Sequence, residues 1–290
     1  MRRTLRRFIT RSFASVSPLA FLLLLCGRSA AAQEPVLTIE VFEPEVVMTS
    51  LFGSDRYTNE RGVAWRPDIE EQATFVVSDD GYCYTEIDTL IFFTTGVGTG
   101  SQDHALLVFS THSYFGEERS ACHGCAPQMG AALFNRSPGG EEGGWGLVNV
   151  RKFIGFFGGW GEPGTVSFVS AGPSQPILSI ASSYTGQGHT FTSTQWFDVF
   201  SWIHPFNRVF SYDEIIGPGG CEEECDAEWC ERYVDRSRQI SLEANVDPDS
   251  QHPGYDDIVM TTIDRDCAGN ESRMVSRFSY DPHGYRRVCE

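Results

Sequence analysis

From position 36 onward the chain is divided into short apolar runs, rich in β-branched and aromatic residues, each closed off by Gly, Pro, Asn or Asp. Such runs read as strands, because an amphipathic helix needs apolar residues recurring every three or four positions over a longer stretch. They are Val36–Phe42, Ala73–Val77, Thr89–Thr95, Ala105–Ser110, Gly130–Phe134, Trp145–Val150, Thr165–Val169, Ile177–Ser182, Gln195–Phe200, Arg208–Tyr212, Ile240–Ala244, Ile258–Thr262, Met274–Tyr280 and Tyr285–Val288. Helical periodicity is scarce among them. The pattern therefore predicts an all-β protein of short antiparallel strands.

Three stretches share one rhythm: an apolar strand, a polar connection, a second strand and a short third one. They are Leu106–Phe109 with Ala131–Phe134 and Trp145–Val150, Ile177–Ile180 with Trp196–Phe200 and Arg208–Phe210, and Ile258–Thr261 with Met274–Tyr280 and Tyr285–Val288. Their starts are 71 and 81 positions apart, a loose period of the size of a propeller blade with its loops. A propeller-like repeat is thus expected, and a β-sandwich with long loops would give similar strings.

The first 32 residues have a different character. Arg2, Arg3, Arg6, Arg7 and Arg11 precede the run Leu19–Leu25, and Ser29-Ala30-Ala31-Ala32 follows. A basic start, a short apolar core and small residues define a signal peptide, with cleavage expected near Ala32 and no transmembrane anchor after processing. Arg6-Arg7-Phe8-Ile9 also permits a twin-arginine reading, and Cys26 a lipid-modified one. The product is expected to be secreted, periplasmic or on the cell surface, as a single all-β domain over 33–290. Six arginines and no acid lie in residues 1–32, so processing takes the net charge from −17 to −23. So acidic a surface repels phosphate backbones and anionic lipid, which excludes nucleic acid as a partner and leaves cations plausible ones.

Nine cysteines minus Cys26 leave Cys83, Cys122, Cys125, Cys221, Cys225, Cys230, Cys267 and Cys289. In an exported chain an even set implies disulfides, with the pairing open. Cys122 and Cys125 are close enough to bridge locally, Cys267 and Cys289 bracket the last hairpin, and Cys83 is left with the cluster 221–230. The segment 217–239, opened by Gly217-Pro218-Gly219-Gly220, reads as a disulfide-rich insertion. A zinc site built from Cys122, Cys125, two later cysteines or His123 is the competing reading. Haem attachment would need His after the second cysteine, where Ala126 stands. A thioredoxin-like redox pair would open a helix, whereas Pro127 and Gly130 bring turn chemistry.

The stretch Asn245-Val246-Asp247-Pro248-Asp249, then Gly254-Tyr255-Asp256-Asp257-Ile258-Val259-Met260-Thr261-Thr262, then Arg277-Phe278-Ser279-Tyr280-Asp281 and Gly284-Tyr285, resembles a blade of the FG-GAP or VCBS β-propeller class. The resemblance covers about residues 240–288. It implies calcium in the Asp-rich loop, although Ser250-Gln251-His252-Pro253 stands where that family has Asp-Gly. Physically, Asp247, Asp249 and Asp256 supply hard oxygen ligands for Ca2+ at i, i+2 and i+9, and the same side chains can instead cap loop amides as Asx-turns. Cys122-His123-Gly124-Cys125, with Gly158-Gly159-Trp160-Gly161-Glu162-Pro163 and Tyr184–Thr190, is similar to uncharacterised exported bacterial proteins and implies no activity.

Aromatic residues supply 15 of the 68 positions from 145 to 212. Most belong in a core by alternation, and Trp160 and Trp202 are the loop-like candidates for a carbohydrate or protein platform. His104 and His112 flank one strand and are weighed as a metal pair. There is no Gly-x-Ser-x-Gly elbow, no His-Glu-x-x-His helix and no phosphate loop. The sequence therefore favours an exported, non-catalytic recognition or structural protein that binds calcium, with an unknown protein or carbohydrate partner. The alternative is a secreted hydrolase working through carboxylates or a metal-activated water.

Overall fold

In the computed structural model the described residues are 38–288, apart from 40–41, 55, 59, 97–99, 123–124, 138–143, 173–174, 187–188, 201–205, 217–234, 245–254, 267–268 and 282. The expected leader and most of the 217–239 segment therefore lie outside the described residues. The chain is all-β and antiparallel. In order come β1 (Thr38–Ile39), helix α1 (Pro44–Phe52), β2 (Tyr57–Thr58), β3 (Gly62–Trp65), β4 (Cys83–Thr95), β5 (Gln102–His112), β6 (Tyr114–Phe115), β7 (Glu118–Arg119), β8 (Gln128–Arg136) and β9 (Trp145–Phe156). Then follow β10 (Gly158–Gly159), β11 (Glu162–Pro163), β12 (Thr165–Ser170), β13 (Pro176–Gly186), β14 (His189–Asp198), β15 (Asn207–Ile216), β16 (Asp235–Glu243), β17 (Asp257–Arg265), β18 (Glu271–Asp281) and β19 (Gly284–Arg287).

Two large sheets result. The first has the order β1-β9-β8-β5-β4-β3-β2, and the second runs in sequence from β12 to β19. Among the described residues β15 and β16 meet at one residue pair, Ile215 opposite Arg236. The second sheet is therefore two four-stranded meanders, β12–β15 and β16–β19, hinged at that pair. With β4-β5-β8-β9 they make three such meanders, and the three repeats traced in the sequence fall on β5-β8-β9, β13-β14-β15 and β17-β18-β19. No sheet closes into a barrel among the described residues.

Alternation along each strand stacks these meanders face to face. On β5, Leu107 and Phe109 face α1, where Val47, Met48 and Phe52 close a core with Trp65, Phe75 and Phe134. Leu106 and Val108, on the opposite face of β5, join Met129 and Leu133 against Leu178, Ile180 and Phe197 of the second meander. Ile177 and Trp196 then point the other way, toward Ile258, Met260 and Tyr285 of the third. Each large aliphatic or aromatic side chain so buried contributes roughly 1.5–3 kcal/mol, which makes these three interlayer cores the main stabilising term. At Gly284 (φ 120°) β19 comes so close to β15 that a Cβ would lie 2.7 Å from the Val209 carbonyl oxygen, so this crossing requires glycine.

Two segments differ from expectation. Residues 44–52 form a helix because Pro44 pre-sets the first turn, Glu45 faces the helix N-terminus and Gly53 ends it in the left-handed region (φ 59°). Ala73–Val77 is no strand: a 3-10 turn, Glu71–Ala73, ends there. The Gln128 side chain accepts the Val76 N–H at 2.9 Å and donates to the Thr74 carbonyl, taking the place of a strand partner. In the expected strand at 36–42, Thr38 and Ile39 pair with Gly146 and Trp145 of β9, and residues 36–37 and 40–41 lie outside the described residues.

Candidate functional site

Asp247 and Asp249 lie outside the described residues. Asp256 is placed at the entry to β17, where its N–H donates to the Ala171 carbonyl at 2.7 Å and its carbonyl accepts the Tyr285 hydroxyl at 2.9 Å. Its backbone thus ties the second meander to the third. Asp257 is occupied by Arg277 (3.1 Å) and by the Ser279 hydroxyl (2.7 Å). Among the described residues no three His, Cys, Asp or Glu side chains gather as a metal would need.

The cysteines separate sharply. Cys122 and Cys125 form a disulfide. Cys83, expected to pair with the later cluster, is instead a free thiol with no exposed surface in the core under α1. Burial, followed by the charges of Glu71 and Asp80, pushes that thiol up to about 12, so it is inert. Cys221, Cys225, Cys230, Cys267 and Cys289 lie outside the described residues.

The disulfide clips a loop that runs from β5 to β8 through the β6-β7 hairpin. Two of the sequence motifs meet there. The Gly161 N–H donates to the Cys125 carbonyl at 2.8 Å, and the Phe157 N–H to the Pro127 carbonyl at 3.3 Å. The Gly158–Pro163 hairpin therefore lies against the Cys122–Cys125 turn. Arg119 extends from β7 to Glu86 (2.7 Å) on β4 and Glu162 (3.7 Å) on β11, and the Tyr114 hydroxyl donates to Glu86 at 3.1 Å. Trp160, at the hairpin tip, adopts φ 57°, a conformation costly for a bulky residue, and is 58% exposed.

On the same face of the first sheet, a polar chain interrupts the apolar layer. The Ser110 hydroxyl donates to Asp88 Oδ1 at 2.8 Å, and His112 Nε2 lies 2.7 Å from the same Ser110 oxygen. Asp88 stands at a β-bulge, where the register of β4 against β5 slips between Ile87 and Thr89. Its Oδ2 is buried with no hydrogen-bond partner among the described residues. Burial raises the Asp88 carboxyl to about 7 against the opposing Ser110 hydrogen bond, with Glu86 adding to the rise and Arg119 countering it. Burial, helped by Arg119, lowers His112 to about 4. With Asp88 ionised the hydrogen bonds run from His112 Nε2–H to Ser110 and on to Asp88. With Asp88 protonated they can reverse without moving a heavy atom. Ser110 has no exposed surface and His112 only 4%, so no substrate reaches this serine.

His104 and His112 are not a metal pair. They lie eight residues apart on one extended strand, roughly 26 Å at about 3.3 Å per residue. His104 is satisfied locally, with Nδ1 2.6 Å from Asn135 Oδ1, Nε2 2.7 Å from the Thr95 hydroxyl and its ring stacked on Phe93. At the other end of the molecule's layers, buried Asp198 accepts hydroxyl hydrogen bonds from Tyr255 and Tyr280, both at 2.9 Å on Oδ2, and the Phe200 N–H at 2.9 Å on Oδ1. The two tyrosine rings stack 3.7 Å apart. Trp202 lies outside the described residues, and most of the other aromatics from 145 to 212 are interlayer core.

Asp88, Ser110, Arg119 and Asp198 were not singled out in the sequence. The one local signal is the slip in β4, where Ile87 and Leu90 face the same core although they are three apart. No protein-family model matches the chain, and no curated protein or solved structure matches it either. No helix among the described residues is long and apolar enough to cross a membrane.

Proposed function

We propose that this is an exported, non-catalytic recognition protein, and that the hairpin Gly158–Pro163 presents its contact residue, Trp160. The observation that carries the reading is the place of Trp160: a large aromatic, more than half exposed, at φ 57° on a hairpin fastened to a disulfide-clipped loop. Strain of this kind persists only where its surroundings impose it, and an aromatic carried on a backbone so fixed loses less entropy on stacking against a sugar face or an apolar protein patch. The partner is a carbohydrate or a protein. A glycan array and a surface-protein panel probed with the mature chain and with Trp160→Ala test this: binding that falls at least tenfold in the variant supports it, and equal binding overturns it.

Export, a calcium ion at Asp247, Asp249 and Asp256, and a propeller-like arrangement belong to the same reading. Three four-stranded meanders packed face to face support the last, as does the coincidence of β16–β19 with the blade-like stretch at 240–288. A melting temperature raised by Ca2+ and lowered by EDTA supports the ion, and an unchanged melt removes it. The rival hydrolase gains no accessible nucleophile from Asp88, Ser110 and His112, because Ser110 is fully buried.

A further inference from the structure

We propose that Cys122–Cys125 is a thiol–disulfide exchange site that accepts two electrons from an external dithiol entering at Cys122. The two sulfurs are unequal: Cys122 is exposed, whereas Cys125 is half-buried with its carbonyl bound by the Gly161 N–H at 2.8 Å. An attacking thiolate therefore reaches Cys122 Sγ first. The leaving sulfur would be Cys125 Sγ, which already accepts a hydrogen bond from the Ser120 hydroxyl at 3.5 Å. A donor on the leaving thiolate stabilises it, and a better leaving thiol speeds exchange.

The loop does not need the bridge to keep its shape. The β6-β7 pairing, the Ser120 N–H to Ser113 carbonyl bond (3.0 Å), the Arg119–Glu86 pair and the Gly161 bond all hold it independently. A bridge between residues three apart also restrains the unfolded chain less than one closing a longer loop. A staple is thus the weaker account of this bond.

One thiolate of the donor forms a bond to Cys122 Sγ as the Cys122–Cys125 bond breaks, and Cys125 departs as a thiolate that takes a proton from solvent. The donor's second thiolate then attacks its own sulfur in the mixed disulfide, releasing Cys122 as a thiolate that is protonated in turn. The donor leaves as a disulfide, oxidised by two electrons, and the pair is left as two thiols.

Dithiothreitol at graded ratios of reduced to oxidised form, applied to the mature chain, provides the test, with quenched alkylation and peptide mass spectrometry at Cys122 and Cys125. The pair should open and reclose while the far-ultraviolet β signal and the melt stay unchanged. A pair that opens only as the β signal collapses, or whose opening unfolds the chain, overturns the proposal. Ser120→Ala should slow opening at least threefold with an unchanged melt, and an unchanged rate removes the leaving-group role. With oxidised glutathione, Cys122 in Cys125→Ser should react at least tenfold faster than Cys125 in Cys122→Ser. Comparable rates overturn the entry point. The wild-type titration decides the matter even if either cysteine variant fails to fold.

Discussion

Asp88 is a carboxyl group in a place that favours its neutral form. Its folded pKa of about 7 lies above the ordinary carboxylate value, so the folded state holds its proton more tightly than the unfolded chain does. The stability tied to that proton is complete below about pH 4 and is lost as the pH rises toward and through 7. His112 works in the opposite sense. Lowered to about 4, it contributes stability above about pH 6.5 that is lost as the pH falls toward 4. Asp88→Asn should therefore melt higher than wild type at pH 8, by at least about 3 °C, and the two should converge near pH 4. Thermal melts across that range check it, and a variant less stable at pH 8 would show that the carboxylate has a cation partner in solution. Asp198 is the contrasting case: two tyrosine hydroxyls and an amide saturate it. Asp198→Ala should cost about 2–4 kcal/mol by denaturant titration, since it removes the shared acceptor of two part-buried hydroxyls and opens a void.

At the scale of elements, the meanders are defined by ladders and joined by a few close crossings. Gly284 is one such crossing, where β19 passes the bulge at Val209. Gly284→Ala should lower stability by about 1–3 kcal/mol, because it combines an unfavourable φ with a carbonyl at 2.7 Å. Gly53→Ala, at a left-handed helix end with open space around it, should cost only about 1 kcal/mol. A reversed order of these two effects would mean that the third meander is not seated on the second as described. The strands themselves were legible: β-branched runs with turn residues at their ends located most of them. Helix α1 was not, because Pro44 to Phe52 spans too little sequence to display a period against its neighbours. Nor was the loss of a strand at 73–77, which depends on the Gln128 amide arriving from β8, fifty-two residues on.

Across the whole molecule, cysteine parity gives a sharp expectation. On the proposed export reading, in which Cys26 leaves with residues 1–32, a free Cys83 and a bonded Cys122–Cys125 pair leave five cysteines: Cys221, Cys225, Cys230, Cys267 and Cys289. An odd set cannot pair fully within one chain. The denatured, unreduced protein should therefore titrate for at least two thiols per chain, or for one with a covalent dimer on a non-reducing gel. In the native state Cys83 should resist alkylation, being fully buried. A monomer with no titratable thiol would place Cys83 in a bond.

Composition and periodicity alone determined that this chain is a β-sheet protein, where most strands lie, and that a threefold rhythm runs through them, because those properties depend on neighbours along the chain. Only the tertiary structure decided which acid is stranded at a bulge, which cysteine is shut in the core, and that the Cys122–Cys125 turn touches the Trp160 hairpin. Each of these depends on segments far apart in sequence meeting at one side chain, and local propensity carries no record of such meetings. The stacking of one meander on the next sets them, through the volume and polarity of whatever residue faces the gap.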